Sequence, residues 1–235
     1  MKSEENVHEG HRLRLKTKFL ESADSLEQHE MLELLLFFAR PQVNTNEIAH
    51  KLLRKFGSLA GVFEADFKSL TEVDGVKEHS ATLIKLQLEM FRRYMQDKID
   101  VKNMKLTSEN AGEYIKSLFY GYTVEVFYLI LLDADFRVIS AEKIATGTNN
   151  CANISSREVN RIAVNQNASY IILAHNHPNG ILIPSAADIN ATKVIDNGLT
   201  FVNVKLIDHI IVAGDKYMSL LNELGRINYV SEGLE

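Results

Sequence analysis

The chain of 235 residues has only one cysteine, Cys151. That excludes an internal disulfide and a metal site built from several thiolates. Any metal held here must use His, Asp, Glu or water. A lone cysteine also fits a reducing cytoplasm, and Cys151, with no base beside it in sequence, reads as inert. Long apolar runs are missing as well. Segments such as 34–39 are far too short to cross a bilayer, which takes about 20 residues. Residues 1–10 are polar and acidic, unlike a secretory leader, so a cytoplasmic location with no membrane partner is expected. A strong basic excess is absent too. The net charge is −5, with 16 basic and 17 acidic side chains in residues 1–104 and 10 and 14 in residues 105–235. Neither half has the surplus that grips phosphates nonspecifically. No internal repeat or low-complexity segment occurs. What remains, 46% hydrophobic and 24% charged residues, is the mix of a globular protein able to bury a core.

Proline is scarce, and each of the three marks a boundary. Residues 30–40 are rich in Leu and Phe and stop at Pro41, which breaks a helix. Thr45 or Asn46 caps a second helix over 47–56, closed by Gly57. A third pattern runs through Phe67 and Leu70, and a fourth from Ser80 to Phe91. The stretch 97–105 is polar and reads as a linker, which gives two domains, 1–104 and 105–235. In the first, His11, Arg12, Arg14, Lys16 and Lys18 form a basic cluster, readable as a solvated helix face or as a nucleic-acid contact.

The second half reads as mixed α/β. A helix is predicted over 109–119. An almost wholly apolar strand follows over 124–132, and a second strand over 137–144 after the turn Asp133-Ala134-Asp135. Beyond a loop at 147–150, Ser155 or Ser156 caps a helix reaching Gln166. A short buried strand covers 170–174. Pro178, Gly180 and Pro184 punctuate a loop, and a helix runs from Ser185 to about Gly198. Strands at 200–206 and 209–213 and a short helix from Asp215 complete the order α, β, β, α, β, α, β, β, α.

The chemistry lies where the strand 170–174 ends. His175 and His177 are two residues apart, so in extended chain both imidazoles point to one side. Asp188, one turn into the following helix, is placed to swing back as a third ligand. Two imidazoles and a carboxylate leave one position open on a tetrahedral zinc ion, the arrangement of a catalytic site with water in fourth place. Ser185 and Asp188 also fit a capping box, which explains both without a metal, and the two readings are compatible. The pattern of zinc deaminases, with its cysteine pair, is absent.

The spacing His175-x-His177, seven residues, Ser185, two residues, Asp188 matches the JAMM signature of the MPN metalloprotease superfamily. The fuller string His175-Asn176-His177-Pro178-Asn179-Gly180, with Pro184-Ser185 and Asp188, resembles the RadC branch, once called DNA repair protein RadC. The likeness spans nearly the whole chain. Gly10-His11-Arg12-x-Arg14-Leu15, residues 32–36 and Phe56-Gly57-Ser58-Leu59 are similar to the N-terminal region of that family. Gly147-Thr148, Arg157-Glu158-Val159 and residues 208–212 are similar to its C-terminal domain.

The resemblance implies an α/β (α+β) protein. A small helical domain of helix-hairpin-helix type precedes a JAMM/MPN, cytidine-deaminase-like domain with a mixed sheet flanked by helices. It implies one zinc per chain on His175, His177 and Asp188. Glu125 takes the position of the general base, and Ser185 that of a donor to the oxyanion. A carboxylate within an otherwise apolar strand is costly without a partner; a solvated strand end is the other reading of Glu125. Glu142 is a competing acid outside the motif position. His209 is either a support to the ligands or a hydrogen-bonded structural histidine, and the second reading leaves it off the ligand set. The function implied is zinc-dependent hydrolysis of an amide bond in a peptide or protein. The alternative is a nucleic-acid-associated repair or recombination factor with a structural or vestigial zinc. Leu70-x-x-Val73-Asp74-Gly75-Val76 resembles a helix-hairpin-helix turn, which holds a DNA phosphate through backbone amides. Lys77 stands where the second hairpin glycine belongs.

Overall fold

The leucine-rich periodicity of the first ninety residues forms six helices. The computed structural model describes residues 2–41, 43–98, 104–147 and 154–223. The helices are α1 (Lys2–Glu21), α2 (Gln28–Ala39), α3 (Thr45–Phe56), α4 (Leu59–Glu64), α5 (Phe67–Thr71) and α6 (Glu78–Lys98). The cap of α3 is Asn44, one residue before the predicted candidates; its side chain accepts from the Asn46 N–H. Gly57 ends that helix at φ +82°, a left-handed conformation that glycine adopts without strain. Leu32, Leu36, Ile48, Leu52, Val62, Leu70 and Ile84 are all buried in one core.

Three members of the basic cluster are committed within this unit. His11 Nε2 lies 2.9 Å from Glu33, and Lys18 donates to Glu30 at 2.6 Å. Arg12 donates to the carbonyls of Arg40, Pro41 and Val43, the chain leaving α2. Its guanidinium also lies over the Phe37 ring. Residues 70–76 do form a tight turn, with Val73 N–H bonded to the Leu70 carbonyl and Val76 N–H to that of Val73. Gly75 sits at φ +90°, and a Cβ there would come within 2.8 Å of Ile48. Close packing against α3 thus already demands this glycine. Lys77 is exposed immediately before α6.

The chain groups into two compact units, Met1–Phe91 and Arg92–Glu235, dividing within α6. Of the stretch expected as a linker, residues 99–103 lie outside the described residues.

The second unit holds a five-stranded sheet. Its elements are α7 (Ala111–Phe119), β1 (Val126–Leu132), β2 (Val138–Thr146), α8 (Ser156–Asn165), β3 (Tyr170–Asn176), α9 (Ala186–Thr200), β4 (Lys205–Ala213), β5 (Lys216–Ser219) and α10 (Leu220–Glu223). Strand order is β2-β1-β3-β4-β5. Only β3 and β4 are parallel, joined through α9, and the other pairs are antiparallel. β1 is buried at all seven positions because helices cover both faces. Tyr128, Ile130 and Leu132 pack with Tyr114, Ile115 and Leu118 of α7. Leu129 and Leu131 face the other way, onto Val159 and Ala163 of α8 and Ile195 and Leu199 of α9. Among the described residues, no helix is long and apolar enough to cross a membrane.

The C-terminal elements differ from expectation. Residues 200–204 are not in a strand. Phe201 there is the cap of α9 and is 88% exposed. Asn203, at φ +56°, then turns the chain, and one strand, β4, takes in the last two residues of the first predicted strand and all of the second. Asp208, read as a break, instead sits at a β-bulge. Ile171 pairs with Leu206 and Ile172 with Asp208, so Ile207 is the extra residue. Its carboxylate is satisfied locally, by the His209 N–H at 2.7 Å and the Ser219 hydroxyl at 2.8 Å. The expected helix at Asp215 is the second strand of a hairpin turned at Gly214, φ +58°. The element order is kept although these strands changed.

Candidate metal centre

Strand pairing builds the site. Phe127 of β1 lies opposite His175 of β3, and its ring stacks on that imidazole at 4.5 Å. His175 is fully buried at the end of β3, and His177 follows it, its N–H bonded to the Val212 carbonyl at 2.8 Å. Asp188 is 2% exposed in the first turn of α9. Glu125, half-buried, precedes β1. The ligand atoms of Glu125, His175, His177 and Asp188 all lie within 4.8 Å of one another. Among the described residues this is the one such group of His, Cys, Asp and Glu. Glu142 lies elsewhere, on β2, with its carboxylate bonded to Gln166 at 2.8 Å. Cys151 and Thr148 lie outside the described residues.

Asn176, between the two histidines, was not singled out from sequence. Its amide nitrogen donates to the Val124 carbonyl at 3.0 Å and its amide oxygen accepts from the Val126 N–H at 2.8 Å. The side chain continues the β1–β3 ladder one step and clamps the backbone on both sides of Glu125. The Glu125 carbonyl is itself held by Gly147 N–H at 2.8 Å. Ser185 caps α9 as expected. Its backbone N–H and its hydroxyl each donate to Asp188 Oδ2 at 2.7 Å, and the Asp188 N–H donates back to the Ser185 hydroxyl at 3.1 Å. The capping box thereby aims the carboxylate.

Two residues lie on the far side of His175: His209, for which the structural reading had been preferred, and Thr192, which was missed. His209 Nε2 lies 2.8 Å from His175 Nδ1, and Thr192 Oγ1 lies 2.6 Å from His209 Nδ1. The contact of His209 with a ligand histidine departs from the purely structural reading. A tight Asp-His pair within a strand was the available signal, but its facing depends on the bulge.

The donor set fits a divalent cation. His175 Nε2 is 2.9 Å from His177 Nε2 and 3.4 Å from Asp188 Oδ1, and His177 Nε2 is 3.6 Å from Asp188 Oδ2. Ligand atoms about 2.0–2.2 Å from a tetrahedral ion are about 3.3–3.6 Å apart, which the two His–Asp separations match, while the His–His pair is closer. His177 Nδ1 donates to the Ile181 carbonyl at 2.6 Å, since a carbonyl only accepts, and that aims Nε2 inward. Burial drives His175 down to about 2, so its ring is neutral. Hydrogen bonding with the Asp188 carboxylate raises His177. Glu125 is raised, first by burial and then by the charge of Asp188. Two carboxylates and two imidazole nitrogens converge here, a set able to hold a metal ion.

The mixed sheet carries a His, Asp and Glu cluster able to hold a metal ion, as in a JAB-type, metalloprotease-superfamily fold. Residues 106–226 match the family described as RadC-like JAB domain. Over 227 residues, the chain is 36% identical to UPF0758 protein FN0909 of Fusobacterium nucleatum subsp. nucleatum, covering 93% of this chain and 98% of that protein. The chain belongs to the RadC family.

Proposed function

We propose that this protein is a zinc-dependent hydrolase that cuts an amide bond in a peptide or protein. His175, His177 and Asp188 hold the ion and Glu125 acts as general base. The carrying observation is the convergence of two imidazole nitrogens and two carboxylates at one point, with Glu125 raised above its ordinary range. Two nitrogens and one carboxylate oxygen are a donor set that suits zinc. Zinc, when bound, supplies a Lewis acid and lowers the pKa of water to about 7.

The chain's own residues do the rest. Glu125 takes a proton from the attacking water and delivers it to the leaving amine, a task suited to a carboxylate of raised pKa. Asn176 keeps that carboxylate in place by holding the backbone beside it. Ser185 holds Asp188 in the resting site and, by changing acceptor, donates to the oxyanion that forms as the bond breaks.

The test is cleavage of a peptide library by zinc-loaded protein purified without a His tag, with Glu125→Gln as control. Cleavage by the parent and none by the variant supports the reading. Bound metal with no cleavage of any peptide favours the alternative, a nucleic-acid-associated factor whose metal is structural.

A further inference from the structure

We propose that Thr192 and His209 are positioning residues that fix the tautomer of His175, so that its Nε2 carries the lone pair facing the metal centre. The argument follows single protons along one buried chain of contacts. It starts at the backbone carbonyl of Asp188, which can only accept. Thr192 Oγ1 lies 2.6 Å from that oxygen, so the one hydroxyl proton of Thr192 is spent there. The same Oγ1 lies 2.6 Å from His209 Nδ1 and, its proton committed, must accept. His209 Nδ1 therefore carries a hydrogen.

His209 is 1% exposed and has no carboxylate on either ring nitrogen, so the ring is neutral and its Nε2 is bare. That bare nitrogen faces His175 Nδ1 at 2.8 Å, which must then be the protonated nitrogen of His175. By elimination the lone pair of His175 is on Nε2, the atom turned toward His177 and Asp188. From the Asp188 carbonyl to His175 Nδ1, neutral rings leave each link one direction, and reversing the series would set the Thr192 oxygen against the Asp188 carbonyl with no proton between them.

Both ends of the chain lie on proposed ligands, the backbone of Asp188 and the ring of His175. The relay thus ties the first turn of α9 to the end of β3. It exists because of the bulge in β4. Leu206 and His209 are three residues apart, an odd spacing that puts side chains on opposite faces of a regular strand. With Ile207 as an extra residue, Leu206 packs with Leu129 and Leu173, and His209 pairs opposite Leu173 on that same face.

The affinity arm of the test rests on the zinc reading above; the spectroscopic arm does not. Thr192→Val keeps the shape and removes the hydroxyl, whereas Thr192→Ser keeps the hydroxyl. Zinc affinity is measured by competition with a chromophoric chelator, and histidine tautomers by 15N NMR of the metal-free and zinc-loaded full chain. Thr192→Val is expected to weaken zinc binding about 10- to 100-fold, and Thr192→Ser to stay within about threefold of the parent. His175 is expected to be protonated on Nδ1 in both states of the parent. Parent-like affinity in Thr192→Val, or equal loss in Thr192→Ser, overturns the relay. So does a proton on Nε2 of His175, which stays decisive if Thr192→Val fails to fold. Parent protein that binds no zinc but shows the Nδ1 proton on His175 sinks the zinc reading and leaves the relay standing.

Discussion

Glu33 in the helical unit and Asp188 in the α/β unit are each 2% exposed, yet their surroundings differ in kind. Around Glu33 each oxygen meets one partner, His11 Nε2 at 2.9 Å and the Asn46 amide at 2.8 Å. Donors and acceptors balance, and the result is a staple between helices. Asp188 Oδ2 already receives the Ser185 N–H and hydroxyl. Two imidazole nitrogens then approach the carboxylate at 3.4 and 3.6 Å, with a second carboxylate, Glu125, in the same cluster. Here groups that accept crowd together. Burial of an acid therefore marks nothing by itself. Convergence with other metal-ligating side chains does, as the grouping of Asp188 with Glu125, His175 and His177 shows.

That contrast can be broken by substitution, and the largest effect falls on metal content. Asp188→Ala is expected to reduce bound zinc from about one per chain, as a single site requires, to near zero by elemental analysis. Glu33→Ala should leave the content unchanged; equal loss in both would erase the distinction. Glu125→Gln comes next. It should keep the metal while hydrolysis falls by on the order of 10²- to 10⁴-fold, the usual worth of a general base. Peptide turnover against zinc content separates the two, and undiminished turnover would remove Glu125 from its role.

Smaller effects concern stability. Glu33→Ala strands the Asn46 amide and should cost about 1–3 kcal/mol, read as a lower urea midpoint for the helical unit. Ser185→Ala removes the α9 cap and should cost about 0.5–2 kcal/mol in the α/β unit. It also loosens Asp188, so its zinc affinity should drop where that of Glu33→Ala does not. A Ser185→Ala protein with parent-like affinity would reduce Ser185 to a cap alone.

Much of the fold was legible locally. The helix stops at Pro41 and Gly57, the wholly apolar β1, and the Ser185–Asp188 capping box each follow from a few adjacent residues. The errors cluster in 200–219. There the first predicted strand began five residues early and the two strands proved to be one, because single-residue propensity cannot register a partner. The Ser219 hydroxyl that satisfies Asp208 is eleven residues away. The roles of Asn176 and His209 were hidden for the same reason, since each depends on a neighbour chosen by strand pairing.

By itself the sequence determined that His175 and His177 share one side of an extended chain and that Asp188 opens a helix. Strand period and capping chemistry are properties of consecutive residues. The tertiary structure alone decided that Glu125 reaches them, through the pairing of β1 with β3, and that His209 turns toward His175, through one extra residue in β4. Pairing register is a property of two segments at once, and one inserted residue reverses the face of all that follow.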